Sequence, residues 1–240
     1  VNELLNSAGG VLDLAGEIQG NLTNQADATT NLNGGNVTGD LVNAGELTGS
    51  GSIEGKLTNS VALSVFGNIA AGSVDNSGAI TVHTPGVLTL TDGVFDNTGT
   101  LGVRGRIEQS DDAENVVIRN RANAALNLVG ATIGTDVEND LDGTVDVRVS
   151  SRLDGDFVNR GLLTRTASSS ATEAADLDVS GHSFTNEGEI TNTSGQAFRI
   201  IADDLFLQGA SIDNAVVTLV GNIFNSSELL FSTATTLAGD

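Results

Sequence analysis

Apolar residues along this chain alternate with polar or small ones over short runs, as in Leu12-Asp13-Leu14, Leu47-Thr48-Gly49-Ser50-Gly51-Ser52-Ile53 and Leu88-Thr89-Leu90. A period of two places successive side chains on opposite faces of an extended backbone, so these runs predict short strands with one face in and one face out. Helix is disfavoured throughout. Gly, Asn, Ser and Thr are dense, and no window carries a sustained 3.6-residue apolar stripe with caps at both ends.

The strands recur with a grammar. Writing Φ for an apolar residue, Φ-x-N-x-G-x-Φ occurs at Leu41-Val42-Asn43-Ala44-Gly45-Glu46-Leu47, Val74-Asp75-Asn76-Ser77-Gly78-Ala79-Ile80, Phe95-Asp96-Asn97-Thr98-Gly99-Thr100-Leu101, Phe157-Val158-Asn159-Arg160-Gly161-Leu162-Leu163 and Phe184-Thr185-Asn186-Glu187-Gly188-Glu189-Ile190. Degenerate copies keep Φ-x-N at Asn6, Asn24, Asn59, Asn120, Asn139 and Asn214. A glycine often stands two residues before the leading Φ, as Gly20, Gly39, Gly55, Gly72, Gly93 and Gly155 do. Eleven copies from Asn6 to Asn214 give an interval of about 21 residues, too short for a helical-hairpin repeat. A unit of that size, holding two or three short strands between Gly and Asn corners, describes one turn of a β-solenoid. The expected fold is a right-handed parallel β-helix of 10–12 turns of roughly 20 residues. At the spacing of paired strands, eleven turns would make a rod on the order of 50 Å long.

The recurrent polar residues have a physical reading. Asn tolerates left-handed dihedrals at a corner, and identical Asn side chains stacked in register can bond to those above and below. Asn24, Asn43, Asn59, Asn76, Asn97, Asn139, Asn159, Asn186 and Asn214 are therefore assigned to a structural corner or ladder, and not to a ligand-binding row. Gly45, Gly78, Gly99, Gly161 and Gly188 are assigned to places where a Cβ would clash. The chain is read as a single domain, 1–240. Gln109–Asn115 and Ala167–Asp176, polar and without alternation, are expected to protrude as loops.

Composition narrows the function. Thirty-one acidic against ten basic side chains give a formal charge of −21, which excludes a nucleic-acid binder and a polybasic lipid attachment. There is no Cys, Met, Trp or Tyr, so disulfides, thiolate metal sites and thiol nucleophiles are excluded, and the core must be built of small and branched aliphatics with eight Phe. No segment approaches the roughly 20 apolar residues of a spanning helix, so the chain is expected to be soluble and without membrane insertion. Val1-Asn2-Glu3 opens with neither a basic nor an apolar signal region, so a signal already removed or a longer parent chain is expected.

Segments such as Leu41–Leu63 (LVNAGELTGSGSIEGKLTNSVAL) and Gly72–Gly102 resemble the passenger repeats of bacterial autotransporters and filamentous-haemagglutinin-type adhesins. The resemblance covers nearly the whole chain. It implies a right-handed parallel β-helix displayed outside a Gram-negative cell. Neither a C-terminal barrel translocator nor an N-terminal secretion cap is read within residues 1–240.

Catalytic chemistry finds little support. His83 beside Pro85 reads as a turn residue and His182 after Gly181 as a corner, about five turns apart. No nucleophile elbow and no phosphate-cradling Gly-rich loop opening a helix is present. The acidic clusters, Asp111/Asp112/Glu114, Asp136/Glu138/Asp140/Asp142, Asp154/Asp156 and Asp203/Asp204, read as a solvated face, with weak calcium binding as the alternative. No catalytic residue, cofactor or dedicated metal site is assigned. The expected function is that of an extracellular structural or adhesive element presenting loops to a cell-surface or matrix partner. Two alternatives stand beside it: a filament subunit stacking head to tail on itself, and a glycan-degrading β-helix enzyme.

Overall fold

The computed structural model describes residues 3–166, 173–209, 211–213, 217–226, 230–231 and 235–238. Every regular element among them is a β-strand, and the strands stack in parallel as a β-solenoid of about eleven turns roughly 19 residues apart. The chain divides into two compact units, Val1–Val117 and Ile118–Asp240.

In the first unit a turn has three faces. Val94–Asn97, Thr100–Val103 and Arg106–Gln109 make one such turn. They pair in parallel with the end of Ala62–Asn76, with Ala79–Val82 and with Val87–Leu90 of the turn before. Alternation then decides what is inside. Leu22, Leu41, Leu57, Val74 and Phe95 form one buried column, Leu47, Leu63, Ile80 and Leu101 another, and residues between them point out. The second unit repeats the arrangement with Val137, Phe157, Phe184 and Leu205 as a buried column, and the rings of Phe157 and Phe184 lie 5.3 Å apart. Four of the eight Phe, namely Phe95, Phe157, Phe184 and Phe198, are fully buried.

One column in each unit is polar and buried. In the first, the side-chain amide of Asn6 donates to Asn24, Asn24 to Asn43, Asn43 to Asn59, Asn59 to Asn76 and Asn76 to Asn97, at 2.7–3.0 Å. In the second, Asn120, Asn139, Asn159 and Asn186 do the same at 2.6–2.8 Å. Each of these donors also reaches a carbonyl of the next turn, such as Ala62 O from Asn43 and Thr100 O from Asn76. A buried amide left without partners would cost about 1–3 kcal/mol, and here register supplies the partners.

The ladder Asn residues do not take left-handed dihedrals; they close strands in extended conformation. Among non-glycine residues, positive φ falls on Asp27, Asn115, Asn123 and Asp142 instead. Three of these follow Asn24, Asn120 and Asn139 by three residues, which separates two kinds of corner. The short corner, Asn-x-Gly, offers the glycine carbonyl to the ladder amide, as Gly45 does for Asn43 and Gly161 for Asn159. The long corner inserts two residues, turns through a left-handed Asp or Asn, and offers the carbonyl of Ala28, Ala124 or Gly143 to the same amide. Glycine in the short corner is a steric requirement. A Cβ on Gly99 would lie 2.1 Å from the Gly78 carbonyl oxygen and one on Gly188 2.2 Å from that of Gly161, with Gly45, Gly78 and Gly161 packed as closely on the turn before.

Two expectations change. Asn214 lies outside the described residues, and Ile212, expected to lead its motif copy, pairs with Ile190, the apolar residue that closes the preceding motif. The ladder position instead runs from Asn186 to Leu207 and then Asn225. A Φ-x-N match without its glycine was too weak to fix register there. Residues 167–172 of the expected second loop are outside the described residues, but Ala175 and Asp176 open the strand Ala175–Asn186, where Ala175 is buried and pairs with Phe198. The first loop is as polar as expected: Gln109 ends a strand, and Asp111, Asp112, Glu114 and Asn115 are exposed.

Replacing Asn59 by Ala removes one donor and one acceptor from the column, takes the Asn59 acceptor from the Asn43 amide and leaves the Asn76 side-chain oxygen without the Asn59 donor. Urea unfolding should show a loss of roughly 2–4 kcal/mol, against under about 1 kcal/mol for the outward-facing Thr58→Ala.

Candidate functional site

The acidic residues do not converge. Among the described residues, no group of three or more His, Asp or Glu comes close enough to hold a metal ion. Many carboxylates are engaged one at a time. Glu138 pairs with Arg119 at 3.1 Å, Asp154 with Arg152 at 2.5 Å, and Lys56 with Asp75 at 2.6 Å. Asp140 stands between Arg121 at 3.1 Å and Arg160 at 3.8 Å, and Arg160 continues to Glu187 at 3.3 Å. Arg121, Asp140, Arg160 and Glu187 each directly follow a ladder Asn, so the alternation of charge from turn to turn was present in the sequence as N-R, N-D, N-R, N-E. Exposed pairs of this kind contribute little singly, but they bring opposite charges into register.

Other carboxylates cap backbone. The Asp136 carboxylate accepts from the N–H of Asp156, and Asp156 from that of Ser183, one turn on each time. In the first unit Asn21 caps Asp40 and Asp40 caps Lys56 in the same way. This second ladder explains the glycine before the leading Φ, since a Cβ on Gly39 would fall 2.2 Å from the Asn21 side-chain oxygen Oδ1 that caps Asp40. Asp203 accepts from the N–H of Gly181 beside a shallow polar cleft of about 350 Å³ that Ser180 and Asn222 also line, and Asp204 accepts from Asn222. His182 sits half-exposed with Nδ1 3.9 Å from Asp156.

Of the ten cations, eight form ion pairs with carboxylates. The two exceptions were not singled out by spacing. Arg165 is completely buried at a core position, where Nη1 donates to Ala197 O at 2.7 Å and Nη2 to Glu173 O, while Nε has no partner among the described residues. Burial pulls its guanidinium below the usual arginine value. Its two acceptors bracket the strand start after the insertion, so Arg165 fastens the returning chain to the turn beyond.

The other exception is Arg104, at a corner that departs from its neighbours. Between Val65 and Ile69, Phe66, Gly67 and Asn68 lie opposite the single residue Ser50. In the next turn four residues, His83-Thr84-Pro85-Gly86, fill the gap between Val82 and Val87, and in the one after only Arg104 and Gly105 separate Val103 from Arg106. The pairings Val65↔Val82↔Val103 set Phe66, His83 and Arg104 side by side, facing out. Phe66 is 54% exposed and stacks on His83 with ring centroids 4.2 Å apart and 11° between planes. The Thr84 hydroxyl donates to the Arg104 carbonyl and ties the longer turn to its neighbour. His83 is thus the turn residue that its place beside Pro85 suggested, and the structure adds the flanking aromatic and cation. Together they offer stacking faces and an exposed guanidinium with no carboxylate partner among the described residues.

A family model described as the BigA fourth domain matches residues 1–205 of this chain. With the solenoid fold, that match fits a β-helix protein of the bacterial adhesin type, and it does not specify an autotransporter passenger. Comparison with curated proteins and with solved structures found no match.

The Asp178 carboxyl offers a local check on this electrostatic reading. Hydrogen bonds from Ser180 and the charge of Arg152 hold it below the usual carboxylate range, against an opposing push from burial. A depressed carboxyl adds stability above its unfolded-state pKa and loses it as pH falls through the folded value. Ser180→Ala should therefore move the Asp178 titration, followed by carboxyl carbon chemical shift, upward toward the ordinary aspartate value, so that its contribution fades at a higher pH. An unchanged titration would remove Ser180 as the main cause.

Proposed function

We propose that this chain, which belongs to the BigA fourth-domain family, is a non-enzymatic scaffold on the outside of a Gram-negative cell, holding recognition elements for attachment to a surface or matrix partner. The observation that carries the reading is how register survives insertion. Leu162–Arg165 pairs with Glu189–Asn192 before the insertion, and Ala175 pairs with Phe198 and Leu177 with Ser151 after it. The four-residue corner at His83 likewise returns Val87 to register with Asn68 on one side and Arg106 on the other. Inward positions are held by packing and by the ladder, while corners vary in length and chemistry. That division of labour suits display: a rigid repeat carries loops, and binding groups sit on the loops.

The charge supports the same setting. An acidic surface keeps a strand-rich chain from associating, and the absence of Cys removes a dependence on redox environment. Nothing in this reading needs a cofactor.

Two measurements test it. Deleting Thr84 and Pro85 should leave the melting temperature within about 3 °C of the parent, because the flanking strands keep their partners; a loss of cooperative melting would make that corner part of the fold and not a passenger on it. Brief proteinase K treatment of intact cells of the bacterium that produces the chain should remove its immunoblot signal while a cytoplasmic marker survives. Full protection in intact cells, with cleavage only after lysis, would overturn surface location.

A further inference from the structure

We propose that the corner formed by Phe66, His83 and Arg104 is a binding site for a carboxylate-bearing glycan, engaged through sugar stacking on the aromatic rings and a guanidinium–carboxylate pair. The inference rests on the display reading for its biological setting, but its physical basis is local to the first unit.

Three observations converge. The first is electrostatic. In a chain of net charge −21 whose other exposed cations are held by carboxylates, Arg104 is exposed and forms no ion pair among the described residues. A free guanidinium fork matches a planar carboxylate with two parallel hydrogen bonds, and the acid-rich surroundings disfavour ligands of high negative charge. A sugar acid carries one such charge per residue.

The second is the aromatic pair. Phe66 is 54% exposed, whereas Phe95, Phe157, Phe184 and Phe198 are buried completely, and it faces out because it follows the inward Val65, as His83 follows Val82 and Arg104 follows Val103. Stacked on His83, each ring keeps one face uncovered by the other, and the uncovered face of Phe66 looks toward the turn that carries Ser50. Ser50, with Asn33 paired to it one turn further, makes a shelf of small polar groups beside that face. An apolar ring face next to hydroxyl and amide groups is the surface that a pyranose, with its C–H face and equatorial hydroxyls, fits.

The third is spacing. Phe66, His83 and Arg104 follow one another at the separation of paired strands, so Phe66 and Arg104 are about 10 Å apart along the stack. A sugar on the uncovered face of Phe66 lies one spacing further out, about 14 Å from Arg104, so a run of about three linked sugars crossing the exposed ring edges brings a carboxylate to Arg104. An acidic peptide could meet Arg104 as well, but the polar shelf beside Phe66 favours a ring rich in hydroxyls over an apolar side chain.

The test uses the purified full chain and an unsulfated chondroitin tetrasaccharide, followed by titration calorimetry and saturation-transfer NMR. Its comparison ligands are the same tetrasaccharide with its carboxylates reduced to alcohols, a sulfated chondroitin tetrasaccharide, and the peptide acetyl-Glu-Gly-Glu-Phe. The parent chain should bind the unsulfated acid with a dissociation constant of about 1 mM or below. Phe66→Ala and Arg104→Gln should each weaken binding roughly tenfold, Arg104→Lys less, and the reduced sugar should bind roughly tenfold more weakly than the acid. Both positions are exposed, so melting curves of the variants should overlay the parent. Absence of binding to the unsulfated acid, tighter binding of the sulfated sugar or the peptide, or binding indifferent to Phe66 and Arg104 would each overturn the site. A failure here in a chain that is still cleaved on intact cells rejects the ligand and leaves the display reading standing; protection on intact cells rejects the display reading whatever the sugar does.

Discussion

A side-chain amide buried in an aliphatic core must find hydrogen bonds, and in this chain it finds them in the turns on either side. That requirement organises much of the rest. A Leu or Val column tolerates a shift of its neighbour by a fraction of a strand, because dispersion has no direction. The Asn column does not, since its donors must meet one oxygen on the next Asn and one carbonyl beside it. Each Asn therefore fixes the height and register of the turn above, and the aliphatic columns pack on a frame set by the polar one. The glycine of the short corner belongs to the same requirement: it lets the chain pass close enough over the turn before to present its own carbonyl to the amide.

With register held from inside, the outward residues and corners are free to differ. Their chemistry shows what that freedom is used for. Alternating charge follows the ladder from Arg121 to Glu187, and carboxylates cap backbone N–H groups at a second corner. These groups satisfy one another. The stack of Phe66, His83 and Arg104 differs in presenting aromatic surface and a charge with no carboxylate partner among the described residues. Arg165 shows a cation used in the opposite way, inside the core, where its donors hold carbonyls on both sides of a strand start.

The fold was legible because it repeats. Five copies of one motif, with glycine two residues after Asn, are enough to give the turn length, the parallel pairing and the inward face. Where a copy loses its glycine, legibility depends on what replaces it. Asn24, Asn120 and Asn139 keep their places because a left-handed Asp or Asn three residues later makes an equivalent corner, a rule that the sequence carried and the short motif did not express. Ile212 had neither feature and was placed on the wrong strand of its turn, whereas Asn59, which lacks both as well, keeps its place in the ladder. The candidate site was harder to see, because it depends on residues 17 and 21 positions apart meeting across turns of unequal length. His83 stood out by its type, but nothing short of the register connects it to Phe66 and Arg104.

The most direct test of the ladder as the organising constraint is exchange of the side-chain amide protons themselves. Deuterium exchange followed by NMR on the Asn43, Asn59 and Asn76 side chains should be as slow as exchange of the backbone amides of Leu57 and Val74 beside them, because neither can open without releasing the turn above. Side-chain amides that exchange within seconds while those backbone amides stay protected would show the aliphatic columns holding register alone, and would contradict the account.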